Sequence, residues 1–289
     1  MPETFAVVFK KSWSYFRGHL YPITISALVF GIALYSAQSL LTHGAMGTVE
    51  DRFSGLNTKK MQEYSQRIQQ GDQQALQEMM TDIGVTGNDG NLDEEKMKNM
   101  TRGFMISLIP AFSMFLLMSY LLSLVAITYY LVLALQKKKS DNALVQTPKY
   151  ILPILGVWIW SFIRSFAWIP FIGVIPAIIL GPRFSFAGVI LMKEKKGVME
   201  SVALSYERTR GYWGRITGQL FLMGLCVFGV GIVCTIALSI IGIFAPLLKG
   251  VLAATLVYCY MAFGVIFTVY LANTIMMYPM KPQKVTSKK

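Results

Sequence analysis

Two arginines stand in apolar company in the middle of this chain, Arg164 in WIWSFIRSFAW and Arg183 in IILGPRFSF. A guanidinium is a fixed fork of five N–H donors, suited to a phosphate or another anion. Placed inside a membrane it is costly and marks a functional position by default. No Asp or Glu lies in the long uncharged stretches. The partners open to Arg164 and Arg183 are therefore a phosphate, a lipid headgroup or freed backbone carbonyls. The alternative is that each snorkels to an interface, since both lie beside proline or aromatic breaks. The rest of the chemical inventory is thin. His19 and His43 stand singly, and Cys226, Cys234 and Cys259 form no C-x-x-C or metal spacing. No zinc-protease, nucleophile-elbow or phosphate-loop motif occurs in a supporting context. The turn-rich GVTGNDGNLDEE invites a calcium-loop reading, but with Gly90 as the loop glycine the first ligand would be Val85 and the last Lys96. The expectation is a protein without cofactor, metal or catalytic residues.

The elements that carry the arginines are membrane-spanning by composition. Of 289 residues 54% are hydrophobic and only 15% charged, against roughly 25% charged in soluble domains. Residues 20–41, 103–135, 216–248 and 250–280 carry no charge, and each exceeds the roughly 20 residues that span a bilayer. Residues 1–41 read as an anchor rather than a cleaved leader, because the apolar run is longer than a signal core.

Charge then orients the chain. Seventeen of the 27 basic residues fall in four clusters, around Lys10–Arg17, Lys137–Lys149, Lys193–Arg215 and Lys281–Lys289. Segment 42–102 has the opposite balance, seven basic against ten acidic. Positive segments stay cytoplasmic, so the segment lies outside and both termini inside. Both ends of 150–192 are basic, so this region must leave and return. Trp168-Ile169-Pro170 is the expected outer turn, which gives six crossings; one re-entrant loop with four crossings is the alternative. The outer segment reads as two short amphipathic helices, the second capped by Asp72.

Two further helices belong on the cytoplasmic surface. Val198, Met199, Val202, Ala203 and Tyr206 form one helical stripe, and Phe5, Phe9, Trp13, Phe16 and Leu20 form another. Each helix carries basic residues and ends at a glycine, Gly211 or Gly18, ahead of an apolar run. SWSYFRGHLYPIT (12–24) aligns without gaps on SYERTRGYWGRIT (205–217), with Ser, Arg, Gly, Ile and Thr identical at five positions. Convergent interface chemistry is one explanation. The other is a parallel internal repeat of surface helix, span and return span. Gly173, Ala177, Gly181 and Ser185 recur every four residues, a spacing for close helix packing or a substrate path.

The pattern E-x-x-G-x-x-E-[AS]-x-x-x-S-[WY]-x-x-T-R-G-x-x-x-R-I after P-x-x-I-L-x-x-R resembles the YciC-like membrane proteins. It also resembles the related membrane domain beside some glycerophosphodiester phosphodiesterases. The matching residues are Pro176, Ile179, Leu180, Arg183, Glu194, Gly197, Glu200, Ser205, Tyr206, Thr209, Arg210, Gly211, Arg215 and Ile216. Ser201, Tyr206 and the long 42–103 segment depart from the usual pattern. The resemblance implies a polytopic inner-membrane protein; the phosphodiesterase barrel is absent, so that activity does not carry over.

The expected fold is an all-α polytopic bundle of six spans plus two cytoplasmic-surface amphipathic helices. It forms a single integral membrane domain over 1–289, with surface helices at 1–19 and 193–211, an outer helical segment at 42–103 and a cytoplasmic tail at 279–289. The expected function is non-enzymatic support of a prokaryotic cell envelope through membrane lipids or membrane proteins, without nucleic acid. The alternative is a transporter or channel component for an anionic or lipid-like substrate. That reading needs a polar cavity lined by residues such as Gln219, Asn273, Arg164 and Arg183. Arg183, ten residues before Lys193, would lie near the bilayer centre if one helix joined them, at roughly 1.5 Å per residue.

Overall fold

A computed structural model of the chain describes residues 3–52, 58–69, 72–83, 93–136, 142–166 and 180–276. Every regular element among them is helical. In order these are α1 (Phe5–Gly18), α2 (Leu20–Arg52), α3 (Thr58–Gln69), α4 (Gln73–Ile83), α5 (Glu94–Leu135) and α6 (Ala143–Phe166). Then follow α7 (Ala187–Glu194), α8 (Val198–Arg208), α9 (Trp213–Phe244) and α10 (Pro246–Met276). Two compact units form, one of Met1–Ala33 with Leu121–Lys289, the other of Leu34–Tyr120.

Among the described residues, four helices are long and apolar enough to cross a membrane: Leu20–Leu41 of α2, Phe112–Leu135 of α5, and all of α9 and α10. Their exposed side chains are of the kind a bilayer solvates. On α9, Phe228 and Val233 are each 67% exposed, and Ile236, Ile240 and Ile243 are exposed too. Leaving such a side chain in water forgoes about 1.5–3 kcal/mol each. The two crossings expected within 150–192 are not among the four. α6 carries Lys149 and Arg164, and Pro148 and Pro153 interrupt its hydrogen-bond ladder. The described part of the return arm is broken, with helix at 180–184, a turn at Ser185-Phe186, and then the eight residues of α7. The expected turn at Trp168-Ile169-Pro170, together with Gly173, Pro176 and Ala177, lies outside the described residues, as does the tail 279–289.

In the first unit α9 and α10 form a hairpin. Ala245 leaves the helical region at φ −145° and ψ 80°, as the residue before a proline tends to, and Pro246 opens α10 where its missing N–H costs nothing. α10 supplies much of the core, with Ala262, Ile266, Phe267 and Ala272 fully buried. α2 meets it at Gly31, where a Cβ would stand 2.6–2.8 Å from Thr255 Oγ1, N and Cα. α1 lies against α10. Phe5 meets Phe267 at 5.8 Å between ring centroids, and Phe9, Trp13 and Phe16 all meet Phe263 at 5.4–6.1 Å. Tyr15 donates its hydroxyl to the Leu133 carbonyl at 2.6 Å, and burial pushes its pKa up to about 12.

The expected stripe on α8 is divided between interior and surface. Met199, Ala203 and Tyr206 are exposed, while Ser201, Val202, Ser205 and the following Thr209 are buried. Met199 and Tyr206 face outward, while Val202 lies with the small Ser201 and Ser205 on the inner face, against α6 and α7. A Cβ added at Gly156 of α6 would already come within 3.2 Å of Val198. At the 193-residue offset of the aligned stretches, burial runs in register. Val8 and Ser201, Ser12 and Ser205, and Ile23 and Ile216 are all 0% exposed. Trp13 and Tyr206, and Arg17 and Arg210, are exposed. The turns differ, since Gly211 has φ 86° and is the only described glycine at positive φ.

The second unit holds the α3–α4 hairpin. Asp72 caps α4 by accepting from the N–H groups of Gln74 and Ala75 at 3.0 and 3.2 Å. Arg67 bridges Asp72 and Glu78, and Lys60 and Tyr64 both donate to Asp82. The Arg67 guanidinium holds the Asp72 carboxyl below its usual range, and the Tyr64 hydroxyl and Lys60 do the same for Asp82. Tyr64 and Ala75 form a small core with Ile68 and Met79.

Candidate functional site

The motif residues gather where α7, α8 and the start of α9 meet. α7 stops because Lys195 turns left-handed at φ 54°. Gly197 then stands extended as the cap residue of α8, with open space where a Cβ would be. The reversal lays α8 back on α7 and brings Glu194 to Arg208. The two form a forked ion pair, Arg208 Nη2 reaching Glu194 Oε2 at 3.0 Å and Nη1 reaching Oε1. Each side chain is about 30% exposed. Arg208 holds the Glu194 carboxyl below its usual range. Arg208 also touches Met276 sulfur at 3.6 Å, and Lys193 donates to Asn273 Oδ1 at 2.8 Å. Both contacts fasten the corner to the end of α10.

Ser205 is fully buried and donates to the Arg183 carbonyl at 2.5 Å. The turn at Ser185-Phe186 interrupts the helical ladder just after Arg183, so the serine supplies a donor that the backbone has lost. The Arg183 guanidinium lies 5.0 Å over the Tyr206 ring. Its Nε is buried and has no hydrogen-bond partner. Arg183 thus meets Ser205 and Tyr206 of α8, and the helix that would join it to Lys193 is broken at Ser185-Phe186.

Arg215, at the start of α9, donates to the Glu3 carbonyl at 2.8 Å, and Gln219 donates to the same oxygen at 3.2 Å. The Glu3 carboxylate takes Lys11 and Thr274. The beginning of α1 is thereby latched to α9 and α10. Arg210 and Arg164 are exposed, each without a side-chain partner among the described residues. The site thus brings together Glu194, Gly197, Ser205, Gly211 and Arg183, with Arg215 at its edge and Arg164 apart on α6. Arg208 escaped the sequence reading, because fourteen residues and a left-handed turn separate it from Glu194. The Glu3 latch left no sequence signal, since its acceptor is a backbone carbonyl.

A cavity of about 560 Å³ opens on the other side of Phe184, among α5, α6, α7, α9 and α10. Trp158, Phe184 and Met223 line it, with the hydroxyls of Ser161, Ser165 and Thr268. Gln219, Asn273, Arg164 and Arg183 are not among its lining residues. No group of three His, Cys, Asp or Glu able to hold a metal exists among the described residues. What the corner offers chemically is an unpaired guanidinium beside apolar space. No family model, curated protein or solved structure matches the chain.

Proposed function

We propose that this chain is a non-enzymatic integral membrane protein of a prokaryotic inner membrane, of the kind the YciC-like motif suggests. It supports envelope organisation by holding anionic lipids of the cytoplasmic leaflet, alongside membrane-protein partners. One observation carries the reading. α1 is packed on the spanning α10 and α8 on α6 and α7, yet the outer faces and ends of the two helices mix exposed Lys10, Lys11, Arg17 and Arg210 with exposed Trp13, Leu20, Met199 and Tyr206. Water would favour only the first set. The bilayer interface favours both.

The topology proposed is four crossings with both termini cytoplasmic and a re-entrant passage through 143–194. Support comes from Gly156, halfway along α6, which meets the first residue of the surface helix α8. Of the described residues of α6, only the ten after Gly156 are then left to enter the bilayer. At 1.5 Å each they reach roughly 15 Å, half the hydrocarbon thickness. The in-register burial of α1 and α8 supports a parallel duplication of surface helix and span.

The test is lipid carried through purification. The wild-type protein, extracted in mild detergent, should retain anionic phospholipid above its share in the membrane. Substituting Lys10→Gln, Lys11→Gln and Arg17→Gln together should reduce that enrichment by about fivefold per charge removed, at ~1 kcal/mol for each basic group at an anionic surface. Equal enrichment in the triple variant, or anion flux in vesicles containing the wild type, would contradict the reading.

A further inference from the structure

We infer that the corner holds one anionic phospholipid, with its phosphate on Arg183 and an acyl chain in the cavity behind Phe184. The inference rests on the lipid-binding reading above and assigns it an internal site. Three observations meet here. First, the Arg183 guanidinium lacks an acid, and the carboxylates near it are taken or turned away. Glu194 is held by Arg208 and Glu200 by Lys196, while Glu207 is exposed. Its buried Nε still has a proton to donate. A fork of N–H donors steadied over an aromatic ring is how a phosphate is gripped in two places at once.

Second, the rings form a bridge from charge to cavity. Arg183 lies over Tyr206, the Tyr206 and Phe184 centroids are 6.2 Å apart, and Phe184 is part of the cavity wall. Polar head and apolar chamber are thus adjacent, as in a single amphiphile. Third, the chamber is built for a chain rather than for water. Its volume falls within the roughly 300–1,000 Å³ of small-molecule sites, and its wall is mostly apolar with a few hydroxyls. Phe162, on its rim, is 62% exposed, so the chamber opens sideways onto the apolar exterior. A phospholipid of the cytoplasmic leaflet meets this charge, depth and polarity order; a free phosphate would leave the chamber unexplained.

The test uses full-length protein in phosphatidylcholine vesicles containing a small fraction of phosphatidylglycerol with a photoactivatable acyl chain. Cross-links should fall on Met223 and Met261, inside the chamber, and be about fivefold weaker when the same group is carried by phosphatidylcholine, whose choline cation offsets the charge of its phosphate, the factor expected for a difference of one net charge. Arg183→Gln should equalise the two lipids, and Arg183→Lys should restore part of the preference. Gly264→Leu fills the chamber from α10, where a Cβ would meet only Met223 Cε at 3.8 Å. It should erase the internal cross-links and spare those on outward Phe228. Internal cross-links no stronger than those at Phe228, or an unchanged preference in Arg183→Gln, would overturn the proposal. So would loss of the preference in excess inorganic phosphate, which would assign Arg183 to a soluble anion. Loss of enrichment through α1 with internal cross-links intact would fail the wider reading alone, and the reverse pattern would fail this one alone.

Discussion

Gly31→Ala is expected to destabilise the protein by about 1–3 kcal/mol, the usual cost of forcing extra atoms into a packed interior. The new Cβ would stand 2.7–2.8 Å from the backbone N and Cα of Thr255. A flexible side chain could swing away, but these are backbone atoms inside α10, so α2 and α10 must part. Parting them loosens the aromatic cover that α1 lays on the same helix. Gly31→Val should cost more. Gly224→Ala is the matched control, because nothing lies within 4 Å of a Cβ there. Removing a glycine from a helix interior stabilises by about 0.5–1 kcal/mol, so this variant should melt higher, not lower. Thermal or denaturant unfolding in detergent measures both. A Gly31→Ala protein as stable as its parent would contradict the close approach of α2 and α10.

Ser205→Val should cost about 1–3 kcal/mol, the penalty for a buried polar group left without its partner. The orphan would be the Arg183 carbonyl, whose helix is interrupted two residues later. Ser12 is the aligned residue and is equally buried, yet its hydroxyl donates to Val8 within its own continuous helix. The Val8 carbonyl keeps the helical N–H when that hydroxyl is removed. Ser12→Val should therefore cost clearly less than Ser205→Val in the same unfolding measurement. Equal losses would mean that Ser205 is doing no more than filling space.

Most of the helices were legible because their signals are local. Uncharged runs of sufficient length marked α2, α5, α9 and α10, and Asp72 ahead of an amphipathic run marked α4. The α8 stripe marked a helix without telling which of its residues the protein buries. In a surface helix bound to a bilayer, apolar residues also belong on the outer face, so Met199 and Tyr206 do not distinguish core from interface. The contacts that assemble the corner are long-range and cross a turn. Glu194 and Arg208 meet through the left-handed Lys195, and Glu3 meets Arg215 across 212 positions. The expected depth of Arg183 rests on a helix running unbroken to Lys193, and nothing in RFSFAG announces the break at Ser185-Phe186.

The sidedness of α8 and the α9–α10 turn decides the central claim, that the basic surface helices lie on the cytoplasmic leaflet of a membrane-spanning bundle. Lys196 precedes α8, and Lys249 follows the turn at the far end of the 32-residue α9. In a background with Cys226, Cys234 and Cys259 replaced by serine, single cysteines at 196 and 249 would be exposed to a membrane-impermeant maleimide in intact cells. Position 249 should label at once, and position 196 only after the membrane is permeabilised. Labelling of position 196 in intact cells, or of both positions from the same side, would contradict it.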